Sequence, residues 1–332
     1  MSARSDDIAT PTTTRWNPRE LPSAASKTFV VTGGHAGIGY FISEQLASTG
    51  AAVVMASRSA DKARNAIIAI RDRIPGANVS YLNLDLSSLS SVARTASALN
   101  ELPRVDSLVL NAAALYADAR TETVDGNENV FGANAVGNFA LTARAMPVLE
   151  RTSGSRVVTL ASTAPWLARL RTIDLANLNS TTGAYQGFPT YARSKAAQML
   201  VALELDRRLR ETGSSVASVL AHPGGAHDGL SPRRVGVIEP TPLQRAKSSL
   251  FVAVGQGKDR GAWPIVRAVL DPAAEGCQIW GPEFWSSIGQ PRLESPGGVI
   301  RSIALLKDDA LARALWHKLE DLAGVAWKPG RS

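Results

Sequence analysis

From Lys27 onward, short apolar runs alternate with longer stretches in which apolar positions recur every three or four residues. An uninterrupted apolar run too short for a helix suits a strand buried on both faces, whereas the three-to-four spacing marks one side of a helix. The pattern predicts strands at Thr28–Thr32, Ala52–Ala56, Val79–Leu82, Ser107–Leu110, Arg156–Ala161 and Val216–Ala221. Helices are expected between them, over 38–49, 60–73, 89–100, 126–150 and 190–211. Strands and helices that alternate in this way build an α/β fold, a doubly wound parallel sheet covered on both faces. Ligands of such sheets gather at the carboxyl ends of the strands.

The regularity fails after His222. Residues 223–259 hold several Gly and Pro and then an irregular or helical insertion, which is read as a substrate lid. A helix over 260–270 and a strand at Gln278–Trp280 are expected to close the sheet. The catalytic domain thus runs over 27–300, with a helical extension over 301–332. Leu311, Leu315, Leu319 and Leu322 lie on one stripe of that extension, which most simply docks on its own domain. Residues 1–26, rich in Ser, Thr, Pro and Ala, read as a flexible arm whose end Trp16 and Leu21 could anchor.

Composition narrows the class. The 332 residues are 45% hydrophobic and 20% charged, ordinary for a soluble globular protein. The single cysteine, Cys277, precludes an internal disulfide and fits a reducing cytoplasm. No apolar run approaches the roughly 18 residues that span a bilayer, and the first residues lack the apolar core of a secretion signal. The net charge of +7 is spread without a basic run and without a nucleic-acid-binding motif. It suits an anionic cofactor better than nucleic acid.

Candidate chemistry centres on Tyr191-Ala-Arg-Ser-Lys195. On a helix, positions i and i+4 share a face. An ammonium beside a phenol favours the phenolate and fits the tyrosine for acid/base work on a carbonyl or alcohol oxygen. Upstream, Thr32-Gly-Gly-His35-Ala-Gly37-Ile38-Gly39 follows an apolar strand and opens a helix. Gly33 suits the tight turn, Gly37 the approach to a pyrophosphate and Gly39 close helix packing, with the helix N-terminus offering N–H groups to phosphate.

The three-then-one glycine spacing, together with Tyr191 and Lys195, resembles the short-chain dehydrogenase/reductase family, over about 27–290. Further matches follow in order. Asp85-Leu86 resembles the adenine-contacting pair, and Asn111-Ala112-Ala113 the family's Asn-Ala-Gly turn with alanine for its glycine. Asn134 and Ser162 match the remaining members of the catalytic tetrad, and Pro223-Gly224 the segment beside the nicotinamide. The resemblance implies a Rossmann-like fold. In the family's roles, Tyr191 exchanges the proton, Lys195 lowers its pKa and bonds the nicotinamide ribose, Ser162 holds the substrate oxygen, and Asn134 holds a relay water. Helices 126–150 and 190–211 correspond to the family's usual dimer faces, which admits a homodimer, while the sequence leaves the oligomeric state open. His222, His227 and Asp228 read as loop or packing residues rather than metal ligands.

The second strand ends in Ser57-Arg58, where an acidic residue would bind the ribose hydroxyls of NAD. A hydroxyl and a guanidinium suit a 2′-phosphate instead, so the expected cofactor is NADP(H). The 28 residues between Ser162 and Tyr191, and Gly261-Ala-Trp-Pro with Gly281-Pro282, resemble the retinol-dehydrogenase-like branch, whose members act on bulky, apolar carbonyls or alcohols. Thr163, Trp166, Tyr185 and Phe188 are the candidate pocket residues. Six of the seven tryptophans follow Ser162 and are read as possible cleft residues, except Trp280 and Trp316, expected in the core. Two other functions are weighed: a non-catalytic NADP(H)-sensing regulator, which would be expected to lose Tyr191 or Lys195, and a C=C reductase of the protochlorophyllide type. The latter carries a functional cysteine where this chain has Ala196-Ala197.

Overall fold

All six expected strands form, because each presents Val, Leu, Ile or Ala to both sides of a sheet. The computed structural model describes residues 16–327. Its first strands and helices are β1 (Thr28–Thr32), α1 (Gly37–Ala47), β2 (Ala52–Ser57), α2 (Ala60–Arg73), β3 (Val79–Asn83), α3 (Leu89–Asn100) and β4 (Ser107–Leu110). The expected helix over 126–150 is three pieces in line. The helical turn α4 (Asn129–Phe131) passes through a π-helical turn, Gly132–Gly137, into α5 (Asn138–Glu150). Then come β5 (Arg156–Leu160), the short α6 (Ala164–Leu167), the 25-residue α7 (Gly187–Glu211) and β6 (Ala217–Ala221).

The insertion after β6 is more structured than its sequence suggests. Two-residue strands β7 (Ala226–His227) and β8 (Gln256–Gly257) pair parallel and bracket the exposed helix α8 (Pro242–Ser249). Next, α9 (Lys258–Gly261) leads into α10 (Trp263–Leu270), near the expected helix. The closing strand is longer than expected: β9 (Ile279–Phe284) lies parallel to β6, and β10 (Ile288–Leu293) returns antiparallel along it. The sheet is therefore mixed, in the order β10-β9-β6-β5-β4-β1-β2-β3. β10 escaped the sequence pattern because Gly289 and Pro291 interrupt it. Proline is tolerated there since the strand is at the edge and its register slips between Ile288 and Pro291.

Alternation within each strand sorts side chains onto two cores. Val30 and Leu108 join α3, α5 and α7 on one face, while Phe29, Val31 and Val109 join α1, α2 and α10 on the other. The last helix, α11 (Asp309–Ala323), starts on an Asp308 side-chain cap to the Leu311 N–H and ends at a left-handed Gly324. Leu315 and Leu319 are buried against the first core, and Trp316 stacks on Trp327, both meeting Phe139 edge-on. The stripe docks on its own domain. Residues 1–15 of the expected arm lie outside the described residues; Trp16 and Leu21 pack on the second core, with the Arg267 guanidinium 5.5 Å from the Trp16 ring.

Candidate active site

Strand order reverses between β1 and β4, so the connections after these strands diverge and leave a crevice at their carboxyl ends. A cleft of about 620 Å³ occupies that position. Gly33 and Gly37 sit at φ +65° and +57°, the left-handed region that side chains rarely adopt. A Cβ on Gly39 would fall 2.3 Å from the Gly33 carbonyl oxygen, so α1 can lie against the turn only with glycine there. The Asn111 Nδ2 donates to the Thr32 carbonyl at 2.8 Å, and the Ala112 N–H donates to the Thr32 hydroxyl at 2.9 Å. These bonds clamp the turn after β4 to the glycine loop. Ala36, at the start of α1, supplies no side-chain cap, leaving that helix end's N–H groups for an anion.

The chemistry of this wall fits a dinucleotide phosphate. His35, Gly37, Ile38, Ser57 and Arg58 all line the cleft, as do Asp85, Leu86, Ala113, Pro223 and Gly224. The Ser57 hydroxyl is buried without a hydrogen-bond partner, as is His35 Nδ1. Burial lowers the His35 pKa, and the charges of Lys62 and Arg58 lower it further, which marks a positive field at the end of β2. Lys258, unforeseen in the sequence, also lines the cleft. Its Nζ bonds Asp228 Oδ1 at 2.6 Å and lies 3.6 Å from where a Gly37 Cβ would stand.

On the opposite wall, Ser162 follows β5, and α7 carries Tyr191 and Lys195, so one strand end and one helix face meet. Burial raises the Tyr191 pKa, while a hydrogen bond with Ser162 opposes the rise. The expected lowering by Lys195 does not occur in this geometry. The Lys195 ammonium instead donates to the Leu160 carbonyl at 2.7 Å and Gln198 Oε1 at 2.6 Å, and burial pushes its pKa down to about 7. The Asn134 side chain bonds within the chain. Its Oδ1 accepts from the Ala114 N–H at 2.6 Å, and its Nδ2 donates to the Ala114 carbonyl at 2.9 Å and the Ser194 hydroxyl at 3.0 Å. It is a brace, set into the π-helical turn, that joins the loop after β4 to α7.

The four pocket candidates divide. Thr163 lines the cleft. Trp166 does not; it sits half-exposed on α6 beside a separate cavity of about 470 Å³, with Arg169 and Ile303. Tyr185 turns away to donate to buried Glu128 at 3.1 Å, a contact that, with burial, raises its pKa to about 12. Phe188 approaches only indirectly: it meets Tyr116 edge-on, and Tyr116 in turn meets the Tyr191 ring at 6.3 Å. Tyr116 and Leu115, the latter on the cleft wall, are exposed residues that the sequence pattern did not single out. Nor are the tryptophans an aromatic cleft, for Trp280, Trp316 and Trp327 are core and Trp285 is exposed. His222 lines the cleft floor, fully buried, with Nε2 3.6 Å from Glu294 Oε1; His227 stacks on Phe251.

Comparison with known proteins agrees with this architecture. The short chain dehydrogenase family profile matches residues 27–169. Mouse polyprenol dehydrogenase is 35% identical over 324 residues, covering 94% of this chain and 90% of its own. Human retinol dehydrogenase 13 is 31% identical over 308 residues, 92% of this chain and 87% of its own. Among solved structures, an uncharacterized protein from Mycobacterium paratuberculosis superposes with a TM-score of 0.74 at 31% identity, covering 94% of this chain and 98% of that one. The chain belongs to the short-chain dehydrogenase/reductase family of oxidoreductases, which bind nicotinamide cofactors. Within it, the chain falls in the retinol-dehydrogenase-like branch.

Proposed function

We propose that this protein is an NADP(H)-dependent oxidoreductase that interconverts a carbonyl and an alcohol on a bulky, apolar substrate. The observation that carries the reading is the Tyr191–Ser162 hydrogen-bonded pair on the wall of the cleft, facing the glycine loop across it. When bound, the nicotinamide supplies or accepts the hydride. The protein's part is the oxygen. Ser162 donates a hydrogen bond to it, and Tyr191 protonates it in reduction or removes its proton in oxidation. The raised pKa keeps Tyr191 protonated at neutral pH, the form needed for reduction. With a cofactor bound, Lys195 would hold the nicotinamide ribose, and an ammonium near the phenol favours the phenolate that the reverse direction needs. Ser57 and Arg58 would bind the 2′-phosphate, and the helix α1 N-terminus the pyrophosphate.

The apolar substrate class draws on the polyprenol and retinol dehydrogenases to which the chain is similar, and on the apolar wall made by Ala114 and Leu115, beside which Tyr116 meets the Tyr191 ring. The test is NADPH oxidation with long-chain and cyclic aldehydes and ketones. Tyr191→Phe should fold, bind NADPH and turn over at least about a hundredfold more slowly. Near-normal turnover in that variant would refute the mechanism.

A further inference from the structure

We infer that Lys258 is a switching cofactor-binding residue. It exchanges the carboxylate of Asp228 for the pyrophosphate of the nicotinamide cofactor, and so ties the insertion to the glycine loop. The inference rests on the cleft being a nicotinamide-dinucleotide site. It does not rest on the choice between NADP(H) and NAD(H), whose pyrophosphates are the same. Lys258 lies outside the motifs that the chain shares with its family, in the stretch where the sequence pattern fails.

The main chain carries Lys258 to a fixed place. Its N–H donates to the Ser231 hydroxyl at 2.9 Å, and that hydroxyl donates to the His227 carbonyl at 2.8 Å. The next residue is fastened to α1, where Gln45 Nε2 donates to the Asp259 carbonyl at 2.8 Å. Elsewhere in the insertion, the Arg234 guanidinium bonds both oxygens of Glu44, also on α1, at 2.6 and 2.7 Å. A Cβ on Gly257 would fall 2.2 Å from Asp259 Oδ1 and 2.7 Å from the Leu230 carbonyl oxygen. Glycine there lets the chain run this close to the turn that bears Asp228.

With its backbone held, Lys258 keeps a flexible four-carbon stem. Nζ bonds Asp228 Oδ1 at 2.6 Å, yet it also lies 3.6 Å from where a Gly37 Cβ would stand, at the opening of α1. That helix end has no side-chain cap and no acidic residue in its first turn, so it presents N–H groups and the positive end of the helix dipole. Among the other cations lining the cleft, Arg58 follows β2, and Lys195 is held by Leu160 and Gln198. Lys258 is the lysine placed to serve the glycine loop. Asp228 does not line the cleft, and its side chain is 51% exposed. An ion pair with so exposed a carboxylate is worth little against water. A pyrophosphate on the helix N-terminus carries more charge and accepts charge-assisted hydrogen bonds in a more sheltered place. The ammonium therefore leaves Asp228 for the phosphate, and Asp228 acts as its competitor.

The test is fluorescence titration of the full chain with NADPH and, separately, with NADH, each at low and high salt. Lys258→Gln should raise both dissociation constants by a similar factor, at least about tenfold, and flatten their salt dependence. Lys258→Arg, which keeps the charge, should restore most of the affinity. Asp228→Asn should act in the opposite sense and tighten both cofactors about two- to fivefold, since it removes the competitor. In the Lys258→Gln background the same Asp228→Asn change should add nothing, because the carboxylate acts only through the ammonium. Unchanged binding in Lys258→Gln, or a loss confined to NADPH, would overturn the inference. So would an Asp228→Asn variant that fails to tighten binding, or one that tightens it equally without Lys258. A wild type that binds NADH alone would overturn the proposed cofactor choice, and the same variants read on NADH would still decide the exchange.

Discussion

Asn134 offers the sharpest separation between a structural brace and a solvent relay. Replacing it with alanine removes three hydrogen bonds at once, two with Ala114 and one with Ser194. A broken bond that leaves its partner unpaired costs about 1–3 kcal/mol. The Ser194 hydroxyl keeps its bond to the Tyr191 carbonyl, and Ala114 is half-buried and can recruit water. Each loss therefore falls at the low end, for a total of about 3 kcal/mol. At roughly 2–4 °C per kcal/mol for a domain of this order, the melting temperature should drop by about 6–12 °C. Loss of the brace also frees the loop that carries Asn111 to Leu115 along the cleft. Reordering even one residue on binding costs about 1–2 kcal/mol, so NADPH affinity should weaken about tenfold. Thermal unfolding of the cofactor-free protein and a fluorescence titration with NADPH measure the two effects. A melting temperature within about 2 °C of wild type would refute the brace. A large drop with unchanged affinity would show that the brace stabilises the fold without ordering the cleft.

Three further expectations follow from the same geometry. Arg58→Glu puts a carboxylate where a 2′-phosphate would lie and should raise the NADPH dissociation constant at least about tenfold while affecting NADH far less; equal effects on both would remove Arg58 from the phosphate site. Gly39→Ala drives a methyl to 2.3 Å from a backbone oxygen and 2.4 Å from Asn111 Nδ2, so chemical denaturation should show a loss of about 1–3 kcal/mol, with NADPH binding weakened alongside. For Lys195, burial lowers the folded pKa from the ordinary 10.5 to about 7, so between those values the unfolded chain binds more protons and stability rises with pH. Compared at each pH with Lys195→Met, which lacks the titration, the cofactor-free wild type should gain stability from about pH 7 to pH 10; a flat difference would mean that the ammonium is not depressed.

What the sequence disclosed divides along physical lines. The strands of the sheet interior were legible because burial on both faces leaves them apolar throughout, as in Val53, Val54 and Met55. The glycine loop was legible because backbone conformation, not packing, demands Gly33 and Gly37. β10 was not, since an edge strand is half-exposed and can hold the proline and glycine that normally punctuate loops. Long-range pairing was equally hidden. Tyr185 and Trp166 flank the catalytic residues in sequence, yet one turns to Glu128 and the other to a neighbouring cavity. Conversely, Leu115 and Lys258 reach the cleft from segments with no local pattern to mark them. The Tyr191–Lys195 spacing placed both groups on one wall but could not show that Gln198, three residues further along the same stripe, would hold the ammonium.

The π-helical turn at Gly132–Gly137 has a consequence for the phase of everything beyond it. Such a turn admits an additional residue without breaking the helix, and one α-helical residue corresponds to about 100° of rotation. Phe139 and the rest of α5 are therefore turned by that angle relative to Phe131, compared with an uninterrupted helix. That rotation aims Phe139 at Trp316 and Trp327, while Asn134, inside the turn, faces the cleft loop. Deleting a single residue between Phe131 and Phe139 would keep the helix but wind its two halves out of step. The brace or the C-terminal aromatic stack could then be aligned, but not both. Chain length at this point thus works as a gear tooth meshing the cleft with the far end of the molecule.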